Sequence, residues 1–320
     1  MIVLGLVVVT VVAVLIGVGV GAVSFSPGSV VAALLDPNHP NAAIIRQIRL
    51  PRVVLAWVVG GGLGVCGASL QALVRNPLAE PYLLGISGGA GLGAVLGIAL
   101  GWASFAVPAA AFVGALAAIG LVYRLAAVSG QRLDPRVLVL AGVVVGAFCS
   151  AVMTGILTLT GEARLRDAFL WLLGGFSAAS WPTVGLFAAY AAGPLAALWY
   201  VARPLDLLTL GDEPAQALGI PVERTKRIAY VAASLLAAAS VAVAGLIGFV
   251  GLVTPHALRN LIGPAHRRLL PAVFVASGSF LVLADALART VVRPTELPVG
   301  VMTAAVGVPI FALLLRRMIR

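Results

Sequence analysis

The fold turns on one stretch, Ile247-Gly-Phe-Val-Gly-Leu-Val-Thr-Pro-His-Ala-Leu-Arg-Asn-Leu-Ile262. An α-helix needs about twenty apolar residues to cross the roughly 30 Å of hydrocarbon in a bilayer. This stretch is shorter, and Pro255 and His256 interrupt it, so it reads either as a span or as a re-entrant segment. Nine longer apolar runs surround it, at 2–23, 50–73, 82–102, 105–127, 136–158, 181–201, 227–247, 269–289 and 299–318. The choice is nine spans or ten, and with it whether both ends of the chain share one side of the membrane.

Charge decides between them. With ten spans and both ends in the cytoplasm, the inner side holds Arg75, Arg124, Arg132, Arg136, Arg203, Arg224, Lys226, Arg227, Arg259, Arg267, Arg268, Arg316, Arg317 and Arg320. The outer side holds Arg46, Arg49, Arg52, Arg164, Arg166, Arg289 and Arg293. That two-to-one excess follows the tendency of basic residues to stay inside. Nine spans would separate the basic tail from the amino terminus, a weaker solution. The expectation is an all-α polytopic membrane protein with ten transmembrane helices, one domain over 1–320 and both termini cytoplasmic.

Composition agrees. Of the 320 residues 61% are apolar and 10% charged, and the mean hydropathy is +1.11. A soluble domain carries about a quarter charged residues. The net charge of +10 does not indicate nucleic-acid binding, because the basic residues stand singly between apolar runs and form no patch. Met1–Val23 has no basic n-region and no A-x-A site, so it reads as a first span rather than a cleaved leader. Cys66 and Cys149 lie inside apolar runs and read as packing residues. The 37 glycines include small-xxx-small pairs such as Gly60–Gly64, Gly89–Gly93 and Gly142–Gly146, which let helix backbones approach in lipid.

Catalytic constellations are missing. A P-loop needs a Gly-Lys-Ser/Thr end whose Lys reaches the β/γ-phosphates, and the sole Lys, Lys226, follows Thr225 with no glycine pair before it. Gly62-Leu-Gly64-Val-Cys-Gly67 matches the dinucleotide fingerprint by letter but sits mid-span, so it reads as packing. His39, His256 and His266 have no partners at ligand spacing, and His256 after Pro255 reads as the cap or kink of a helix end. No metal site, bound cofactor or enzymatic activity is expected of this chain. An ion-driven carrier would place acids at mid-membrane, whereas every acid here lies at or near a loop, Asp285 being the deepest.

Three segments exceed what a plain lipid-facing bundle needs. Arg49-Leu-Pro-Arg52, with Arg46 before it, places basic residues outside against the bias, unless they merely reach for headgroups. Asn76-Pro-Leu-Ala-Glu-Pro81 is a tight polar turn. The cytoplasmic loop 203–227 contains Gly211-Asp-Glu-Pro-Ala-Gln-Ala-Leu-Gly219, a short amphipathic helix stopped by glycine and suited to docking.

Together with Gly67-Ala-Ser-Leu-Gln71, Leu84-Gly-Ile-Ser-Gly-Gly-Ala90, Gly248-Phe-Val-Gly-Leu-Val-Thr-Pro-His256 with Arg259, Ala284-Asp-Ala-Leu-Ala-Arg289 and Glu296-Leu-Pro-Val-Gly300, these segments resemble the FecCD permease family of bacterial ABC importers. The matches run in order from about Arg46 to Arg317. The resemblance implies the type II importer permease fold in a homodimer, in the bacterial cytoplasmic membrane. It implies two cytoplasmic ATPase subunits holding ATP and Mg, docked on Gly211, Asp212, Glu213, Ala215, Leu218 and Gly219. It implies an extracytoplasmic binding protein docked on Arg49, Arg52 and Arg289, with Asp285 one turn from Arg289 and able to orient it. The cytoplasmic gate would comprise Asn76 and Leu78 on one side and Gln131, Arg132, Leu133 and Asp134 on the other. The cargo implied is a metal chelate: a ferric siderophore or haem, with cobalamin next. Trp171-Leu-Leu-Gly-Gly-Phe176 is slightly more similar to the vitamin B12 permeases.

Overall fold

A computed structural model describes residues 2–21, 23–127, 133–292 and 295–318. All regular structure among them is helical. In chain order the helices are α1 (Ile2–Gly19), α2 (Pro27–Leu35), a π-helical turn (Ile44–Arg49) running directly into α3 (Leu50–Val74), a 3₁₀ turn (Pro81–Leu84), α4 (Ile86–Ala99), α5 (Val107–Ala127) and α6 (Pro135–Thr158). They continue as α7 (Glu162–Leu172), α8 (Trp181–Tyr200), α9 (Ala202–Leu208), α10 (Asp212–Ala217), α11 (Val222–Ala244), α12 (Val250–Ile262), α13 (His266–Ala288) and α14 (Val299–Met318).

Six of these are long and apolar enough to cross a membrane: Ile44–Val74, α5, α6, α8, α11 and α13. Three apolar helices are shorter, at Val3–Gly19, Ile86–Ala99 and Val299–Leu313. The deciding stretch Ile247–Ile262 becomes a 13-residue helix, α12, behind a non-helical approach. Pro255 and His256 do not cap or kink its end as the sequence suggested; they lie inside it.

The centre of the bundle is α3, flanked by α13, α11, α12 and α8. Its glycines explain why so many helices can crowd it. A Cβ on Gly60 would sit 2.6 Å from the Ser277 carbonyl oxygen, and one on Gly64 would sit 2.0 Å from Ser277 Oγ. The same logic brings α4 onto α5, where a Cβ on Gly89 would lie 2.4 Å from the Gly114 carbonyl oxygen and one on Gly114 would lie 2.2 Å from that of Gly89. The apparent nucleotide fingerprint Gly62–Gly67 is thus a backbone-packing face, as its mid-span position predicts. Cys66 and Cys149 are both buried, and the Cys66 thiol donates to the Ala233 carbonyl at 3.0 Å. On the periphery, α6 buries few residues and turns Leu140, Val144 and Phe148 outward. An apolar band of that kind fits hydrocarbon and not water.

Between the apolar runs the chain is more ordered than its sequence suggests. Ser26 caps α2, its Oγ accepting from the Ser29 amide at 3.2 Å. The Arg46 guanidinium donates to the Ala33 and Leu34 carbonyls at 2.9 and 2.6 Å, so it closes the C-terminal end of α2 instead of reaching for headgroups. The expected loop 203–227 is largely helical. It holds α9 and α10, and α11 begins at Val222, which puts Arg224, Lys226 and Arg227 on its first turns.

Candidate functional site

The segments singled out in the sequence meet in three clusters, spread along the length of α3. The first lies where α3 begins and α1 and α13 finish. The last carbonyls of a helix have no intrahelical donor and carry partial negative charge. Two guanidiniums fill that role for α1. Arg49 Nη1 donates to the Val18 and Gly19 carbonyls at 2.7 and 3.0 Å, and Nη2 donates to that of Val23. Arg289 Nη2 and Nη1 donate to the Gly17 and Val20 carbonyls, each at 2.8 Å. The Arg49 guanidinium also lies 4.4 Å from the centre of the Phe25 ring.

Asp285, only 1% exposed, sits between the other charges. Its carboxylate pairs with Arg52 Nη2 at 2.9 Å and with Arg289 Nε at 3.0 Å, the latter one turn away as its spacing predicts. Arg52 Nη1 reaches outward to the exposed Glu296 at 2.9 Å. The structure therefore gathers Arg49, Arg52 and Arg289 in one network. It does not present all three on a free rim: Arg49 and Arg289 are buried and bonded to the chain's own carbonyls, and the Arg52–Glu296 pair is the accessible part.

The second cluster lies deeper in the bundle and joins three of the quoted stretches. Pro255 has no N–H, so the Gly251 carbonyl one turn earlier lacks its helical donor. Gln71 Nε2 reaches across from α3 to that carbonyl and to Leu252, at 3.4 and 3.5 Å. Arg259 Nη1 in turn donates to Gln71 Oε1 at 3.1 Å, which fixes the amide's orientation. Glu80 Oε1 accepts the Phe249 amide at 2.6 Å, so the N-terminal end of α12 faces a carboxylate. Tyr82 OH both accepts from the Ile247 amide at 2.7 Å and donates to its carbonyl at 2.8 Å. Residues far apart in sequence thus anchor α12 and its approach.

The third cluster lies at the opposite end, where α3 and α12 finish and α11 and α13 begin. Gly211, at φ +118°, opens α10, and Gly219, at φ +80°, lies just beyond it. Ala215 is buried, whereas Leu210 and Leu218, flanking the helix, are 63% and 60% exposed. Arg75, left-handed at φ +54°, ends α3. Asn76 Oδ1 then accepts the Leu78 amide at 2.9 Å, an Asx turn that shapes the expected first gate segment. Of the second gate segment, Leu133 is buried, and Asp134 caps α6 by accepting the Arg136 amide at 2.8 Å. Gln131 and Arg132 lie outside the described residues.

Two features of this end had no local signal in the sequence. A cleft of about 460 Å³ opens between Gln71, Arg75, Asn76, Asp206, Arg259 and His266. In it His266 Nδ1 lies 2.5 Å from Asp206 Oδ1, which also accepts the His266 amide at 2.9 Å, across 60 residues of chain. The other feature is Lys226, 2% exposed, whose ammonium meets Asp212 at 2.5 Å and donates to the Leu133 carbonyl at 3.1 Å. The clue to it was that Lys226 is the only lysine among 21 basic residues.

The chain and its fold are similar to known proteins. The cobalamin import system permease BtuC of Halobacterium salinarum is 43% identical over 288 residues, covering 89% of this chain and 77% of its own. The Fe(3+)-citrate import system permease YfmE of Bacillus subtilis is 39% identical over 303 residues, covering 94% and 90%. A solved inward-facing ABC transporter assigned to the metal-chelate type superposes with a TM-score of 0.89 at 29% identity, covering 98% of each chain. The model of the FecCD transport family matches residues 9–317, and the chain belongs to that family.

Proposed function

We propose that this chain is the membrane-spanning permease of a binding-protein-dependent ABC importer for metal chelates, working as a homodimer. The observation that carries the reading is the α9–α10 corner. Leu210 and Leu218 stand exposed around a short helix at a charged end of the bundle, as a surface awaiting an apolar partner would. The partner is a pair of cytoplasmic ATPase subunits holding ATP and Mg. Lys226, the one lysine of the chain, is engaged by Asp212 and Glu223.

Ten spans follow if the six long helices are joined by α1, α4, α12 and α14. The 13 residues of α12 rise about 20 Å, and the non-helical approach through Gly245–Phe249 would complete that crossing. This places the Lys226 end in the cytoplasm with both termini and the Asp285 end outside. There, an acidic group on the extracytoplasmic binding protein would compete with Glu296 for Arg52, while Arg49 and Arg289 hold the frame behind it. A rim contact of this kind chiefly speeds and orients encounter and weakens with salt. Asn76 and Leu78, with the 131–134 segment, would close the inner mouth. The cargo is a ferric chelate or a corrinoid, the two classes carried by the relatives above.

The test is co-expression with an ABC ATPase subunit from the same organism. The wild-type chain is expected to purify as a stable complex, and vesicles holding it, with the binding protein, are expected to take up a ferric chelate or cyanocobalamin. Leu218→Glu is expected to abolish co-purification and leave thermal stability unchanged, because the side chain is exposed and supports no packing. Retained association in that variant would place the ATPase elsewhere.

A further inference from the structure

We infer that Lys226 is the positioning residue that ties α10 to both gate segments, so that movement of α10 becomes movement of the gate. This rests on the reading of α10 as the ATPase-docking element.

The ammonium of Lys226 is a point charge with three donors, whereas a guanidinium is a planar fork. Three acceptors surround it. Asp212 Oδ2, at the first residue of α10, lies 2.5 Å away; the Leu133 carbonyl lies at 3.1 Å; Glu223 Oε1, one turn earlier on α11, lies at 3.5 Å. Glu223 is itself engaged, its Oε2 accepting the Leu133 amide at 2.9 Å. One turn of α11 thus grips Leu133 by both its N–H and its C=O, and the same ammonium holds the start of α10. Leu133, in the described part of the second gate segment, is thereby tied to the docking helix.

The link to the first gate segment is of a different kind. Asp212 Oδ1 is buried and has no hydrogen bond. Its charged neighbour is Arg75 Nη2 at 3.5 Å, an ion pair without a hydrogen bond, and Arg75 immediately precedes Asn76. A shift of α10 by a fraction of an ångström would close or open that contact. Asp212 therefore has one tight link and one loose one, each leading to a different side of the inner mouth. Coupling between sites needs an element with two arrangements that both sites bias. The Asp212–Arg75 contact is where α10 would bias the first gate segment, and Lys226 fixes the carboxylate that makes it.

The experiment uses the chain reconstituted with its ATPase and binding protein in vesicles, with ATP hydrolysis and cargo uptake measured together. In Lys226→Met the number of ATP molecules hydrolysed per molecule imported is expected to rise about tenfold, within the roughly 5–150-fold range of common coupling energies. Asp212→Asn, at a half-exposed residue whose shape is kept, is expected to raise the same ratio and serves if Lys226→Met does not fold. A purely structural role would lower both rates together and leave the ratio unmoved. A wild-type ratio in an assembled complex of either variant overturns the inference. Failure of the wild-type chain to bind any ATPase would instead overturn the docking reading on which it rests.

Discussion

Asp285→Ala is expected to destabilise the protein by about 3–5 kcal/mol, the cost of removing one partner from a buried ion pair. The carboxylate is 1% exposed and faces two guanidiniums, Arg52 at 2.9 Å and Arg289 at 3.0 Å. Without it Arg289, 5% exposed, keeps its bonds to the Gly17 and Val20 carbonyls but loses its counter-ion. Those bonds hold the end of α1 against α13, so the damage should spread to α1. Glu296→Ala makes the contrast. It removes an equally short contact to Arg52, but Glu296 is exposed, and solvated pairs are worth about 1 kcal/mol or less. Thermal unfolding of the detergent-solubilised protein should show a drop of many degrees for the first variant and almost none for the second. Equal, small effects of both single variants would mean that water reaches Asp285.

How much of this was legible in the sequence differs by feature. The six long apolar helices were, because hydrocarbon thickness demands length and a run of twenty apolar residues has few other uses. The helices α2 and α7 were not. They are short and partly polar, and Ser26 or Arg46 as a cap looks no different in sequence from Ser or Arg in a loop. The start of α11 was read late for a related reason. Glu223, Arg224, Lys226 and Arg227 look like a solvated loop, yet Glu223 and Lys226 turn toward Leu133. At the Asp285 end, the three arginines stood out by their motifs, but the burial of Arg49 and Arg289 did not, since their acceptors are mostly backbone carbonyls at the end of α1 that no side-chain pattern announces. Contacts such as Asp206–His266 or Gln71–Gly251 join residues 60 and 180 apart, and only the packed fold brings them together.

Gly67→Val is the second large effect expected, and it tests the middle of the bundle. A Cβ at residue 67 would lie 1.9 Å from the Gly251 carbonyl oxygen and 2.6 Å from its Cα. These are backbone atoms, so no side-chain rotation relieves the clash, and α12 has to leave α3. Overpacking a core costs about 1–3 kcal/mol where neighbours can yield, and here the separation also breaks polar contacts. The Gly251 carbonyl, already deprived of a donor by Pro255, would lose Gln71, and the Glu80 contact with the Phe249 amide depends on the same placement of α12. In lipid no water replaces those partners. The variant is therefore expected to be lost as a monodisperse species on size-exclusion chromatography. Gly120→Ala, where a Cβ meets nothing within 4 Å, is expected to elute and melt as the wild type or slightly better, since Ala favours a helix over Gly by about 1 kcal/mol. Comparable behaviour of the two variants would mean that α3 and α12 do not touch backbone to backbone, and the account of Gly67, Gln71 and Pro255 as one device would fall with that contact.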